Sequence, residues 1–186
     1  MTSPSDQEYL AALARGDREA LAPLMERHHR RIYRLALAYL REPEEALEVV
    51  QETFVKAFRH ADRWSPAAEP GRWLSRIAVN TAIDRYRRRR RRPEEPMTDA
   101  PDRDLRWVAP DGSPEDELLD KERRQRLDGA LLGLPERQRA VLVLRHYEDM
   151  SLEEIGDALG MRLGTVKSTL HRAIDRLRRR LPQGAL

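Results

Sequence analysis

Apolar residues recur at helical spacing along most of the chain. Asp6 to Ala14 reads as a short helix stopped by Arg15-Gly16. From Leu21, the positions Leu24, Met25, Ile32, Leu35, Leu37, Ala38 and Tyr39 trace a long amphipathic helix, with Asp17 as its expected N-cap. Pro23 conflicts with that helix and predicts a kink or a restart. Pro43 marks a break. A helix over about 44–60 follows, with Ala46, Val50, Phe54, Ala57 and Phe58 on one stripe and Glu45, Glu48, Gln51 and Glu52 largely opposite. Residues 61–70, with two prolines and a Trp64 expected to be exposed, read as a loop. The next helix opens at Gly71 or Arg72, carries Leu74, Ile77, Ala78 and Thr81 on its apolar face, and runs into a series of arginines closed by Pro93.

Residues 93–114 break the pattern. Pro93, Pro96, Pro101, Pro110 and Pro114 stand among many acids, a composition that cannot bury enough apolar surface to offset ordering entropy. A flexible linker is expected there. Beyond it, Leu118 to about Leu132 suggests a helix, Gly133-Leu134-Pro135 a turn, and Val141, Leu142 and Leu144 another helix. Ser151 with Glu154 three residues on is a capping box for a short helix over 152–159, ended by Gly160. After the connection 161–164, Val166, Leu170, Ala173, Ile174 and Leu177 stripe a last helix from Thr165 to about Leu181. The expected fold is all-α, with small helical domains at 6–92 and 115–182 and the acidic linker between them.

Composition narrows the picture. The absence of cysteine removes disulfides and thiol chemistry, and no apolar run approaches the roughly 20 residues of a membrane span. No signal peptide is visible at the N-terminus, so a soluble cytoplasmic protein is expected. The formal net charge of +3 hides a strong alternation. Residues 71–92 hold nine arginines against Asp84 alone, residues 93–122 hold 3 basic and 11 acidic groups, and residues 123–186 hold 13 basic and 8 acidic groups. Two basic blocks around an acidic one suit two polyanion-binding modules, or two solvated helical faces around a spacer. No nucleophile–base set, glycine-rich phosphate loop or convergent carboxylate pair is present, and the five histidines lack metal spacing, so no catalytic residue, metal or cofactor is expected.

A short capped helix, a glycine-containing turn and a long basic helix make the helix-turn-helix plan. It needs small or apolar residues where the helices cross, here Ala158 and Val166, and polar donors at the start of the second helix, here Lys167, Ser168, Thr169, His171 and Arg172. The stretch LPERQRAVLVLRHYEDMSLEEIGDALGMRLGTVKSTLHRAIDRLRRRL closely resembles region 4 of bacterial RNA polymerase sigma factors of the extracytoplasmic-function (ECF) group of the sigma-70 family. Upstream, EEALEVVQETFVKAFRH resembles that group's region 2.2 and GRWLSRIAVNTAIDRYRRRRRR its regions 2.3 to 2.4.

The resemblance implies roles. The acidic and amide face of region 2.2, carried here by Glu45, Glu48, Gln51 and Glu52, would dock on the largest subunit of core RNA polymerase. Leu47 stands where an acid is usual. Trp64, Arg76, Asn80, Arg87 and Arg88 would serve recognition and melting of the promoter −10 element, with Asn80 at the family's base-contacting position. Arg145, Thr165, Lys167, Ser168, Thr169, His171 and Arg172 would serve the −35 element, although Arg is usual where Thr169 stands. The expected partners are core RNA polymerase, promoter DNA and an anti-sigma factor, often membrane-bound in this group, with no small-molecule substrate. Two rivals differ in class. A self-sufficient helix-turn-helix regulator would normally need a dimerisation helix, and none is unassigned. A sigma-mimicking interaction protein would not need the basic blocks.

Overall fold

The computed structural model describes residues 4–91, 130, 131 and 133–180, and every α-helix in it falls close to where the apolar spacing puts one. The expected linker and most of the helix expected after it lie outside the described residues. Helix α1 (Asp6–Ala14) is opened by Ser5, which forms a capping box with Glu8. Helix α2 spans Leu21–Leu40. Pro23 neither breaks nor restarts it: the proline is third in the helix, within the first turn, whose N–H groups have no intrahelical carbonyl to bond. Asp17 caps the preceding turn instead, accepting the Glu19 N–H at 3.0 Å. Helix α3 (Pro43–Arg59) uses Pro43 as an opening residue. A short 3-10 segment, Ala61–Arg63, leads to α4 (Pro70–Arg91). Glu69 caps α4 by accepting the N–H groups of Gly71 and Arg72 at 2.9 and 2.6 Å.

Helices α2, α3 and α4 pack as a bundle around Ile32, Leu35, Tyr39, Val49, Phe54, Leu74 and Ala78, all essentially inaccessible to solvent. Each such side chain contributes on the order of 1.5–3 kcal/mol through burial. A second cluster, Leu10, Leu13, Ala20, Leu24, Ala61 and Trp64, seats α1 and the 3-10 segment beside it. Trp64 is therefore a core residue and not an exposed one. Its indole N–H donates to the Ala68 carbonyl at 3.1 Å, so the polar tip of the ring is satisfied while its body fills the cluster.

The C-terminal bundle consists of α5 (Glu136–Tyr147), α6 (Leu152–Leu159) and α7 (Leu163–Arg180), together with residues 130 and 131. The predicted capping box on α6 is present, with Glu154 N–H donating to the Ser151 hydroxyl at 3.1 Å, and Gly160 ends the helix at a φ of 63°. The crossing of α6 and α7 depends on Gly156. A Cβ there would lie 2.7 Å from the Met161 carbonyl oxygen and 3.7 Å from Val166 Cγ2.

The two bundles share one core. Val141, Val143, Leu144, Met150, Ile155 and Val166 are continuous with the apolar interior of α2–α4. At the seam, Arg139 of α5 is fully buried. Its guanidinium lies 5.2 Å from the Tyr39 ring centroid and 4.7 Å from that of Tyr86. It donates to the carbonyls of Tyr39 (2.8 Å), Leu131 (3.1 Å) and Leu134 (3.3 Å). The Tyr39 hydroxyl donates in return to the Glu136 carbonyl at 3.4 Å, and burial pushes the ionisation of this phenol well above its usual range. A guanidinium tolerates such burial because each of its three nitrogens donates to a carbonyl and two ring faces solvate its charge.

Candidate nucleic-acid and polymerase interfaces

The acidic face of α3 looks outward, yet it is not a bare row of carboxylates. Arginines one turn apart on α4 lie across it. Arg85 pairs with Glu48 and reaches Glu52 at 3.7 Å, Arg89 reaches Glu45 at 3.1 Å, and Lys56 reaches Glu52 at 2.9 Å. Gln51 is exposed between Leu47 and Val55, which are 54% and 46% exposed. Spaced by four residues, these three side chains form a solvent-facing stripe beside the paired acids. Sequence reasoning treated Leu47 only as a gap in the acidic face. Val55, two turns on, is its exposed apolar companion on the same stripe.

Helix α4 carries a second polar face, set by residues four apart. Arg76, Asn80, Arg87 and Arg88 are all exposed on it, as a nucleic-acid-facing surface requires. Much of that face is bonded to the C-terminal bundle. The Asn80 amide donates to the Ala158 carbonyl at 3.1 Å, Arg87 Nε donates to Glu136 at 2.7 Å, and Arg72 pairs with Glu154. Glu136 holds the Arg87 guanidinium above its ordinary ionisation range. Burial raises the Glu154 carboxyl, but hydrogen bonds from Ser151 and Arg72 outweigh it, and the net shift is downward. The most enclosed contact is made by Glu148, in the turn before α6, whose side chain is 1% exposed. It accepts the Arg31 Nε–H at 2.8 Å and the Ser75 hydroxyl, and it lies 2.7 Å from Arg31 Nη2 as an ion pair. A crevice of about 350 Å³ remains beside these contacts, lined by Asn80, Asp84, Arg87, Arg137, Leu159 and Met161 among others. No local pattern marks these pairs, because their partners lie 49 to 117 residues apart.

The third surface is α7. Thr165, Lys167, Ser168, His171 and Arg172 are exposed, at the N-terminal half of the helix where a recognition helix presents donors. Their contacts are local: Arg172 Nε donates to the Ser168 carbonyl at 3.1 Å, and His171 lies 3.3 Å from Asp175. Thr169 is not among them. It is 6% exposed and continues the buried stripe Val166–Thr169–Ala173–Leu177. The 3.6-residue period through Val166 and Ala173 marks it as an inward position. Arg145, exposed at the end of α5, donates to the Met150 carbonyl at 2.7 Å and braces the turn into α6. Among the described residues no helix is long and apolar enough to cross a membrane, and no cluster of metal-ligating side chains occurs.

Comparison with known proteins matches residues 24–92 to sigma-70 region 2 and residues 130–179 to sigma-70 region 4. The ECF RNA polymerase sigma factor SigW of Bacillus subtilis is 32% identical over 171 residues, spanning 90% of this chain and 91% of that protein. SigM of Mycobacterium tuberculosis, also an ECF RNA polymerase sigma factor, is 37% identical over 177 residues, 95% of this chain and 85% of that protein. Among solved structures, CnrH in complex with the cytosolic domain of CnrY superposes with a TM-score of 0.65 at 25% identity, covering 92% of this chain and 94% of that one. The sigma factor RpoE of Bartonella quintana, solved with the anti-sigma factor NepR, gives a TM-score of 0.64 over 85% of this chain and 94% of that one, at 23% identity, which speaks for the fold alone.

Proposed function

The chain belongs to the ECF group of the sigma-70 family, and from that premise we propose how its surfaces divide the work of transcription initiation. It binds core RNA polymerase, directs it to promoters and assists opening of the −10 region. The polymerase performs the chemistry. The α3 stripe, with Glu45, Glu48, Gln51 and Glu52, docks on the polymerase. Carboxylates and exposed apolar groups do not seek DNA, and together they suit a basic, partly apolar protein surface. The α4 face, with Arg76, Asn80, Arg87 and Arg88, meets the −10 strand. Cations follow the backbone there, and an amide reads base edges. Trp64, being buried, supports the fold beneath that face and does not stack on a base. Helix α7 reads the −35 element with Lys167, Ser168, His171 and Arg172, and Thr165 with Arg145 lies at its flank. An anti-sigma factor is the proposed negative partner; CnrH, at 25% identity, was itself solved in complex with a protein domain, the cytosolic domain of CnrY.

The observation that carries this reading is the presence of regions 2 and 4 in one chain, in family order. The test is a run-off assay with purified core polymerase on promoters selected from a randomised −35/−10 library. Discrete transcripts are expected only when the chain is added. Absence of any chain-dependent transcript, with no co-purification of polymerase, would overturn it.

A further inference from the structure

We propose that Leu163 is a specificity-determining residue of the −35 surface, reading a thymine by packing its side chain on the 5-methyl group in the major groove. The proposal rests on the reading of α7 given above and adds to it a residue that no polar motif marks. Apolar spacing starts the last helix at Thr165 and leaves 161–164 as a connection. The structure starts α7 two residues earlier, at Leu163. The Arg162 carbonyl accepts the Val166 N–H at 3.0 Å, so Arg162 is the N-cap and Leu163 the first helical residue. Residues four apart share a helix face, which sets Leu163, Lys167 and His171 in one row. All three are exposed, and Lys167 and His171 belong to the proposed −35 set.

Packing does not account for Leu163. It is 37% exposed and belongs to none of the three apolar clusters. The apolar clasp that fixes the entry into α7 is made by its neighbours. Met161, one residue before the cap, and Val166, four after it, both join the shared core. A leucine at a protein surface is common and carries nothing by itself. Its position carries the argument. Helical side chains lean toward the N-terminus, so a side chain in the first position reaches past the tip of the helix, the end that a recognition helix inserts into the groove. The tip is unobstructed: no atom lies within 4 Å of where a Cβ on Gly164 would stand. Arg162 and Lys167 flank Leu163 and are exposed, a setting that suits a polyanion better than the charge-depleted core of a protein interface. Base edges in the major groove are donors and acceptors, apart from the methyl group of thymine. A leucine pressed on polar edges would desolvate them without return, so the methyl group is its match.

The test uses the full chain with core RNA polymerase and a promoter duplex recovered from the randomised −35/−10 library. Each thymine of the −35 element, on either strand, is replaced in turn by deoxyuridine, which lacks only the methyl group. Wild type is expected to bind about fourfold more weakly at one position, the worth of one buried methyl-sized group. Leu163→Ala should weaken binding to the thymine duplex by a similar factor and lose nothing further on deoxyuridine. Leu163→Met keeps an apolar chain of similar size and should still discriminate at that position. Thr165→Ser removes the other exposed methyl group at this end of α7 and should leave the discrimination intact. Should Leu163→Ala fail a circular dichroism check, Leu163→Gln, polar and of similar length, gives the same readout. A selected −35 element without thymine, wild-type binding indifferent to every deoxyuridine, or undiminished discrimination in Leu163→Ala would each overturn the proposal. The last outcome would assign Leu163 to the sugar–phosphate backbone. A complex that binds the promoter yet distinguishes no −35 sequence would overturn the functional reading of α7, and the proposal with it.

Discussion

Helices α4 and α7 are both long, basic and amphipathic, yet they stand in opposite states. On α4, Arg72, Asn80 and Arg87 are bonded to groups of the other bundle. On α7, Lys167, Ser168, His171 and Arg172 face solvent and bond only within their own helix, where they bond at all. Charge does not separate the two helices, since both end in arginine runs. The difference is what lies opposite. Facing α4 are three carboxylates that no local pattern assigns to one surface, whereas α7 turns only its apolar stripe to the protein. Whether the polar face of a basic helix is open or engaged thus depends on its tertiary neighbours and not on its charge.

The largest way to break this asymmetry is to remove Arg139. Its cation joins the bundles by stacking on Tyr39 and Tyr86 and by satisfying three carbonyls. Arg139→Leu leaves those carbonyls buried without their donor, so stability should fall by about 3–5 kcal/mol. Urea unfolding followed by circular dichroism measures it. A loss below about 1 kcal/mol would show that water replaces the guanidinium freely.

Next comes Gly156→Ala, which acts on the other side of the comparison. The added methyl meets the Met161 carbonyl at 2.7 Å, a backbone atom that cannot swing aside. Overpacking of this kind costs roughly 1–3 kcal/mol and should tilt α7 against α6. Binding to −35 duplex should drop severalfold in filter-binding or anisotropy titrations. The α3 docking stripe lies on another bundle, so polymerase binding should hold. Loss of both together would mean that the bundles cannot be perturbed separately.

Single removals on the open face should be smaller. Lys167→Ala and Arg172→Ala should each weaken the free chain's binding to −35 duplex by roughly 1–2 kcal/mol if each contacts a base edge. Arg87→Ala should leave free-chain binding to a −10 strand nearly unchanged, because that cation is already engaged by Glu136. Anisotropy titrations at fixed salt compare the three. A larger loss for Arg87→Ala than for Arg172→Ala would reverse the ranking of the two faces.

Much of this was legible in the sequence. The apolar periods placed the helices, and Ser151, Glu154 and Gly160 fixed the boundaries of α6 because capping is local chemistry. The misreadings share a cause. Trp64 looked exposed because its neighbours are prolines and small polar residues, but the cluster that buries it comes from α1 and α2. Thr169 looked like a donor by motif position, while the helical period through Val166 and Ala173 already turned it inward. The pairing of the α3 acids with Arg85 and Arg89 was not legible, because those arginines belong to another helix. The seam between the bundles was illegible for the same reason, as none of its ion pairs falls within one element.

The smallest expected effect sharpens the comparison through pH. Glu154 has a carboxyl whose ionisation is shifted below its reference value of 4.5: desolvation opposes the shift, and the bonds from Ser151 and Arg72 prevail. A depressed carboxyl stabilises the folded, paired state above its unfolded value, and that contribution is lost as pH falls through the folded value. The Arg72–Glu154 contact between the bundles should therefore be constant from pH 7 to about 5 and should loosen below about 4.5, as Glu154 takes up a proton and releases Arg72. The groups facing that carboxylate are the Arg72 guanidinium and the Ser151 N–H. Energy transfer between dyes on the two bundles should decline modestly between pH 5 and pH 4 without loss of helicity. Glu154→Gln should remove that pH step while lowering transfer slightly at neutral pH. A step of the same size in Glu154→Gln would assign the acid opening to another carboxylate of the interface and leave Glu154 as a helix cap only.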